Sequence, residues 1–298
     1  MKRLLYSRKA APYLFILPFL LTFGLFWAYP VIQAVIMSFQ KILPGVADFI
    51  GKDNYVRLVN DRLFWLALSN SVRYMALTLL LLIPIPLLLA VFVNAKLGNP
   101  RLKGIFKSAT FVPALTSVVV AGIVFRLMFA ESDSALMNQI ADAFGFGPVK
   151  WLKGDLTGLG ALLSVAMWRW TGINMMYFLA GLQAIPTDYY EAADIDGASG
   201  WQKFWFVTVP NLKPTIVYVV TISVYGGLAM FVESFMLWNG NNSPMNIGLT
   251  IVGYLYRMGI EKNDLGYAST VGVVLLAVVM TINLIQLSAT GTLKRETR

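Results

Sequence analysis

The chain is 298 residues long, 57% hydrophobic and only 13% charged, against about 25% charged residues in an ordinary soluble domain, and its net charge is +9. It has neither cysteine nor histidine, which excludes disulfides, thiolate metal sites, a cysteine nucleophile, the commonest zinc ligand and the commonest general base. Because the apolar residues gather in blocks long enough to cross a bilayer, the positive charge points to lysine and arginine held on the cytoplasmic side of a membrane, not to nucleic acid.

The first predicted span covers residues 11–37. Its apolar run from Tyr13 to Met37 is too long for the roughly 7–15-residue core of a cleaved signal peptide, so it stays as a helix. Further spans are predicted over 69–94, 105–129, 158–184, 214–238 and 267–289. The result is an all-α, polytopic membrane protein with about six transmembrane helices. The connecting segments leave no room for a soluble domain, so residues 1–298 read as one transmembrane unit. Pro18, Pro30, Pro84 and Pro86 fall inside spans and are expected to kink them.

Thirteen of the 24 basic residues, among them Lys2, Arg3, Lys96, Lys107, Lys203, Lys213 and Arg298, fall on the side that holds both termini. Eight fall on the other side, and Arg73, Arg126 and Arg169 lie inside spans. This bias predicts cytoplasmic termini. Trp65, Trp151, Trp238, Tyr254 and Tyr256 lie near span ends on the outer side and are expected at headgroup depth.

The cytoplasmic link between the fourth and fifth spans reads as a helical hairpin over residues 187–210. Asp188 with Glu191 has capping-box spacing, Gly197 suits a left-handed helix end, Ser199 with Gln202 starts a second unit, and Pro210 limits its length. A capped hairpin is more than a link needs, and suggests a rigid protrusion for another protein to grip.

Glu191, Ala192 and Ala193, then Gly197 after three residues, and Val207 to Pro210 after nine more, resemble the signature loop of ABC importer permeases. Val207 and Val209 stand where that family usually has isoleucine and leucine. The segments PYLFILPFLLTFGLFWAYPVIQAVIMSF, GKDNYVRLVNDRLFW, FVPALTSVVVAGIVFRLMF and LGYASTVGVVLL are similar to maltose-type sugar permeases. Within that group, WRWTGINMMYFLAGLQAIP and NNSPMNIGLTIVGYLYRMG most resemble permeases for arabinose or arabino-oligosaccharides, with lactose permeases the nearest rival.

The resemblance implies the type I ABC importer permease fold and an inner-membrane, multi-pass location. It also implies a second homologous permease subunit, two ATPase subunits, an external sugar-binding protein and surrounding lipid as partners. Asp188, Glu191, Ala192, Ala193, Asp196, Gly197, Ala198, Phe204 and Pro210 would then couple to the ATPase. No cofactor is expected on this chain, since ATP and Mg belong to the partner ATPases. In agreement, no G-x-x-x-x-G-K-[ST] loop occurs; in Gly98 to Gly104 the lysine precedes the second glycine.

Arg169 and Glu233 are ionisable groups inside spans, where each costs about 2.5–3.5 kcal/mol and usually faces a cavity or a partner. On straight helices their depths differ by roughly 9 Å, which makes a direct ion pair stretched. Trp170, Asn174 and Tyr177 share one helical face, with Tyr177 expected in packing. Gly227 removes bulk beside Phe231, Glu233 and Ser234. Because maltose-type permeases build their sugar site from these two helices, the resemblance makes Arg169, Trp170, Asn174, Gly227, Phe231, Glu233 and Ser234 candidate lining residues. An ion-coupled secondary transporter is the alternative, but it would require repeats and acidic broken helices that the sequence does not display. A membrane-embedded enzyme lacks its catalytic groups.

Overall fold

The longest apolar runs form the longest helices in the computed structural model, which describes residues 11–43, 45–95 and 99–291. Lys2, Arg3, Arg8, Lys9, Lys96, Gly98, Lys294, Arg295 and Arg298 lie outside the described residues, and with them much of the charge bias.

Within the described residues the chain forms two units, one combining the segment up to Asp61 with Leu255–Ala277, the other combining Arg62–Tyr254 with the segment from Val278 onward. In the first unit, α1 (Ala11–Met37) carries one wide turn at Gly24–Ala28 and buries none of its apolar core. A two-stranded antiparallel hairpin follows, β1 (Gln40–Leu43) on β2 (Val46–Phe49), the one departure from an all-helical pattern among the described residues. Asn54 of α2 (Asp53–Val59) satisfies the main chain leading into it, donating to the carbonyls of Ser38 and Gln40 at 3.0 and 2.9 Å.

The second unit begins with α3 (Arg62–Leu82) and α4 (Pro84–Asn94), which run on as one 33-residue apolar span. The predicted start at residue 69 was therefore seven residues late. The third predicted span is broken. Helix α5 (Pro100–Leu115) meets α6 (Val118–Met128) at 99° across Thr116 and Ser117, both extended. Pro113 cannot donate to the ladder there, and the serine and threonine satisfy loose main-chain ends poorly from within a helix, so the chain turns.

Beyond α7 (Leu136–Ala143) comes α8 (Asp155–Gln183), whose 29 residues make it about 43 Å long. Its two ends lie in separate hydrophobic clusters, Ala161, Leu162 and Val165 with Phe125 and Phe129, and Met175, Phe178 and Leu179 with Leu87, Leu212 and Val219. After α9 (Thr187–Ile195) and α10 (Gly200–Asn211), the fifth predicted span is also interrupted. Helix α11 (Lys213–Leu228) stops at Ala229, and a separate turn, α12 (Val232–Leu237), resumes after Phe231. The chain closes through α13 (Ile251–Tyr256) and α14 (Leu265–Ala289), which matches the last predicted span within two residues at its start. Three spans are continuous, up to five if each bent pair counts as one, and α8 adds a long helix loaded with polar residues.

Three of the five rings expected at headgroup depth are held within the protein. Trp151 donates from its indole to Asn138 Oδ1 at 2.7 Å, Trp238 donates to the Leu152 carbonyl at 2.8 Å, and Tyr254 is fully buried. These rings close the protein's own loops, because a buried indole or phenol needs an internal partner.

Candidate functional site

A cavity of about 410 Å³ opens between α3, α8 and α11 in the second unit. The sequence of α8 brings Trp170, Asn174 and Tyr177 to it, one face as their spacing required. Asn174 is buried and donates to the Leu82 carbonyl at 3.0 Å, a carbonyl left over where α3 gives way to α4 at Pro86. Trp170 is half-exposed, and Tyr177, expected only in packing, does both: it lines the cavity and meets Tyr218 edge-on at 5.3 Å.

Gly227 and Glu233 reach the cavity from the other side. At Gly227 a Cβ would lie 2.9 Å from Met75 Cα, so the glycine is there to let α11 approach α3. Arg169, Phe231 and Ser234, also expected in the lining, are absent from it. Phe231 packs on Phe235 at 5.2 Å, and Ser234 is buried and donates to the Gly248 carbonyl at 2.5 Å. Phe231 and Ser234 were placed in the lining by the resemblance; in the structure the chain breaks before Val232 and these two side chains pack elsewhere.

Arg169 and Glu233 do pair, Arg169 Nη1 to Glu233 Oε1 at 3.0 Å, with both side chains nearly buried. The offset predicted from straight helices disappears because Glu233 rides on the separate α12. Arg169 also donates from Nη2 to the Thr116 carbonyl at 3.4 Å, the carbonyl released by the bend between α5 and α6. One guanidinium thus joins the two breaks. The contribution of α3 was missed: Tyr74 and Thr78 line the cavity, and their i, i+4 placement in an otherwise apolar run was the available signal. Aromatic faces, hydroxyls, an amide and a carboxylate together can stack on an apolar ring face and exchange hydrogen bonds with hydroxyl groups.

The hairpin is the second candidate surface. Gly197 has φ +74°, and the Ala198 amide donates to the Ala193 carbonyl at 2.9 Å while the Gly197 amide donates to Asp194 at 3.1 Å, closing α9 with a left-handed turn. Ser199 and Gln202 exchange both bonds of a capping box, at 2.7 and 3.3 Å. Asp188 does not cap α9: Pro186 occupies that position, and the carboxylate of Asp188 sits within the first turn, where it favours the helix dipole. Glu191 makes no capping bond and is exposed, as are Ala192 and the terminal Asp196.

Pro210 does not end the second helix. A wide turn over Phe204–Thr208 precedes it and absorbs the missing donor, and the chain bends by 67° only at Leu212. The two arms are tied by Lys203 to Asp194 at 2.6 Å and by Tyr190 to Thr208 at 3.0 Å, and Phe204 stacks on Trp201. Ile195 is 88% and Phe206 78% exposed, so the hairpin presents apolar side chains that its own fold does not cover.

Comparison with known proteins agrees with this architecture. Residues 4–295 match the model of the binding-protein-dependent transport system inner membrane component. The arabinooligosaccharides transport system permease protein AraP of Bacillus subtilis is 53% identical, covering 98% of this chain and 92% of the relative. The lactose transport system permease protein LacF of Rhizobium radiobacter is 33% identical over 93% of each chain. A crystal structure of a bacterial ABC transporter involved in import of the acidic polysaccharide alginate superposes with a TM-score of 0.84 over 97% of both chains, at 24% identity, and shares the fold. With nearly every residue from end to end aligned to one model, the chain belongs to the binding-protein-dependent transport system inner membrane component family.

Proposed function

We propose that this chain is one permease subunit of an ATP-driven, binding-protein-dependent oligosaccharide importer, working by alternating access. The observation that carries this reading is the 53% identity, over nearly the full length of both chains, to a permease named for arabinooligosaccharides. The fold leaves the cargo open, since the alginate importer that shares it handles an acidic polysaccharide.

In this reading the whole chain is one permease domain, and it is not itself an enzyme. Its partners are a second homologous permease, two ATPases that hold ATP and Mg, and an extracytoplasmic sugar-binding protein. The hairpin of α9 and α10 seats on an ATPase, with Glu191, Gly197 and the exposed Ile195 and Phe206 at that contact. Closure of the ATPases moves the hairpin and the helices behind it, and sugar delivered from outside passes through the cavity beside Trp170 and Asn174. Both termini lie in the cytoplasm.

The test is reconstitution of the permeases with their ATPase and binding protein, followed by ATP hydrolysis across arabino-, galacto- and gluco-oligosaccharides. An ATPase should copurify, and at least one saccharide should raise hydrolysis severalfold through the binding protein. Uptake driven by an ion gradient, with no ATPase attached, would overturn the reading.

A further inference from the structure

Among the described residues that line the cavity, Glu233 is the one acidic or basic side chain. Its counterion, Arg169, is not in that lining: it is 9% exposed, donates to Glu233 Oε1 and the Thr116 carbonyl, and keeps its Nε buried without a partner. Trp170, which does line the cavity, has its ring centroid 5.4 Å from the guanidinium carbon. The ion pair is neutral as a whole, but of its two members only the acidic one, Glu233, is among the lining residues. The cavity that Glu233 lines is also lined by Tyr74, Tyr177 and Asn174.

That arrangement treats two kinds of sugar differently. A hydroxyl-bearing neutral sugar can donate to the carboxylate, a charge-assisted hydrogen bond stronger than one between neutral groups. A sugar acid brings a second carboxylate into the same largely apolar cavity, with no lysine or arginine in the lining to receive it, and like charges at short range in a low dielectric repel strongly. We propose that the cavity accepts uncharged saccharides and rejects carboxylate-bearing ones, and that Glu233 makes the distinction. The proposal rests on the reading of the chain as a saccharide permease, and adds the charge class of the cargo at the membrane step, independently of any choice made by the binding protein.

The test uses the assembled permease–ATPase complex in nanodiscs, without the binding protein. Two probes differ by one carboxylate: L-arabinotriose and the same trisaccharide oxidised at its reducing end to the aldonate. If the complete complex imports a different neutral reducing oligosaccharide, that sugar and its aldonate replace them. Saturation-transfer NMR titration should show the aldonate at least tenfold weaker than the neutral sugar. Glu233→Gln should bring the two within about threefold. Because that variant leaves Arg169 without its counterion, the double variant Arg169→Gln with Glu233→Gln, which can keep an amide–amide hydrogen bond, is measured beside it.

Equal binding of the two probes to the wild-type complex, or an unchanged ratio in both variants, overturns the proposal and leaves the importer reading intact. Failure of both probes to bind a complex that still imports the neutral sugar also overturns it, since the cavity is then not on the sugar's path. A complete complex that imports no neutral saccharide at all overturns the importer reading itself, and the proposal with it.

Discussion

Gly172 packs directly on the main chain at Thr110: a Cβ on that glycine would lie 2.9 Å from Phe111 Cα and closer still to the Thr110 carbonyl. Both partners are backbone, so neither can swing aside as a flexible side chain could. Gly172→Ala is expected to push α8 from α5 and cost about 1–3 kcal/mol, as overpacking does. Thermal unfolding in detergent checks this, with Gly160→Ala as control on the same helix, where a Cβ meets nothing within 4 Å. An unchanged transition for Gly172→Ala would mean that the two helices pack less closely than described.

Arg169 holds two helix breaks at once, through Glu233 and Thr116. Removing one member of a nearly buried pair strands the other charge, at about 3–5 kcal/mol. Arg169→Met should therefore lower stability far more than Arg169→Met combined with Glu233→Met. Thermal shifts of the single and double variants measure the difference, and equal losses would show that the pair is not formed.

Gly197 takes a left-handed conformation in which a side chain is disfavoured by roughly 1–2 kcal/mol. Gly197→Val should leave the permease inserted but misaim the second arm of the hairpin, weakening ATPase attachment or uncoupling hydrolysis from uptake. Gly200→Ala, with no positive φ and open space around it, is the control. Assembly and uptake are read together, and full coupling in well-expressed Gly197→Val would remove the hairpin from the coupling path.

Helix ends and caps were legible in the sequence wherever the cause is local. Ser199 and Gln202 form their box and Gly197 its turn because each needs only its own few neighbours. Asp188 was misread for a related reason: an acidic residue suits both the cap and the first turn, and Pro186 took the cap. The breaks at Thr116 and after Leu228 were harder. Hydropathy runs unbroken through both, and only Pro113 and the Gly226–Gly227 pair hinted at them. From those misses followed the stretched estimate for Arg169 with Glu233. Tyr74 and Thr78 stand out only by their i, i+4 spacing, a weak signal inside an apolar run.

The charge bias predicts the orientation of the loops. A cysteine replacing Lys150 should react with an impermeant reagent from outside, and one replacing Ala198 only from the cytoplasm. Both positions lie in the described loops and the chain has no cysteine of its own. The reverse labelling pattern would invert the topology.

Trp170 offers the broadest ring in the cavity wall and is half-exposed, so its removal should leave the fold in place. Loss of one stacking face is expected to reduce uptake by roughly tenfold, about 1.4 kcal/mol, with assembly unchanged. Uptake assays paired with size-exclusion profiles decide it, and normal uptake by Trp170→Ala would place the sugar elsewhere.

The hairpin orders the junction between its two arms by itself, through the left-handed turn at Gly197, the box at Ser199 and the Lys203–Asp194 tie. A docking element that is already ordered loses little conformational entropy when it is gripped. Its contact energy can therefore go into holding on, and an arm that does not melt between encounters passes on a push as displacement instead of absorbing it as bending.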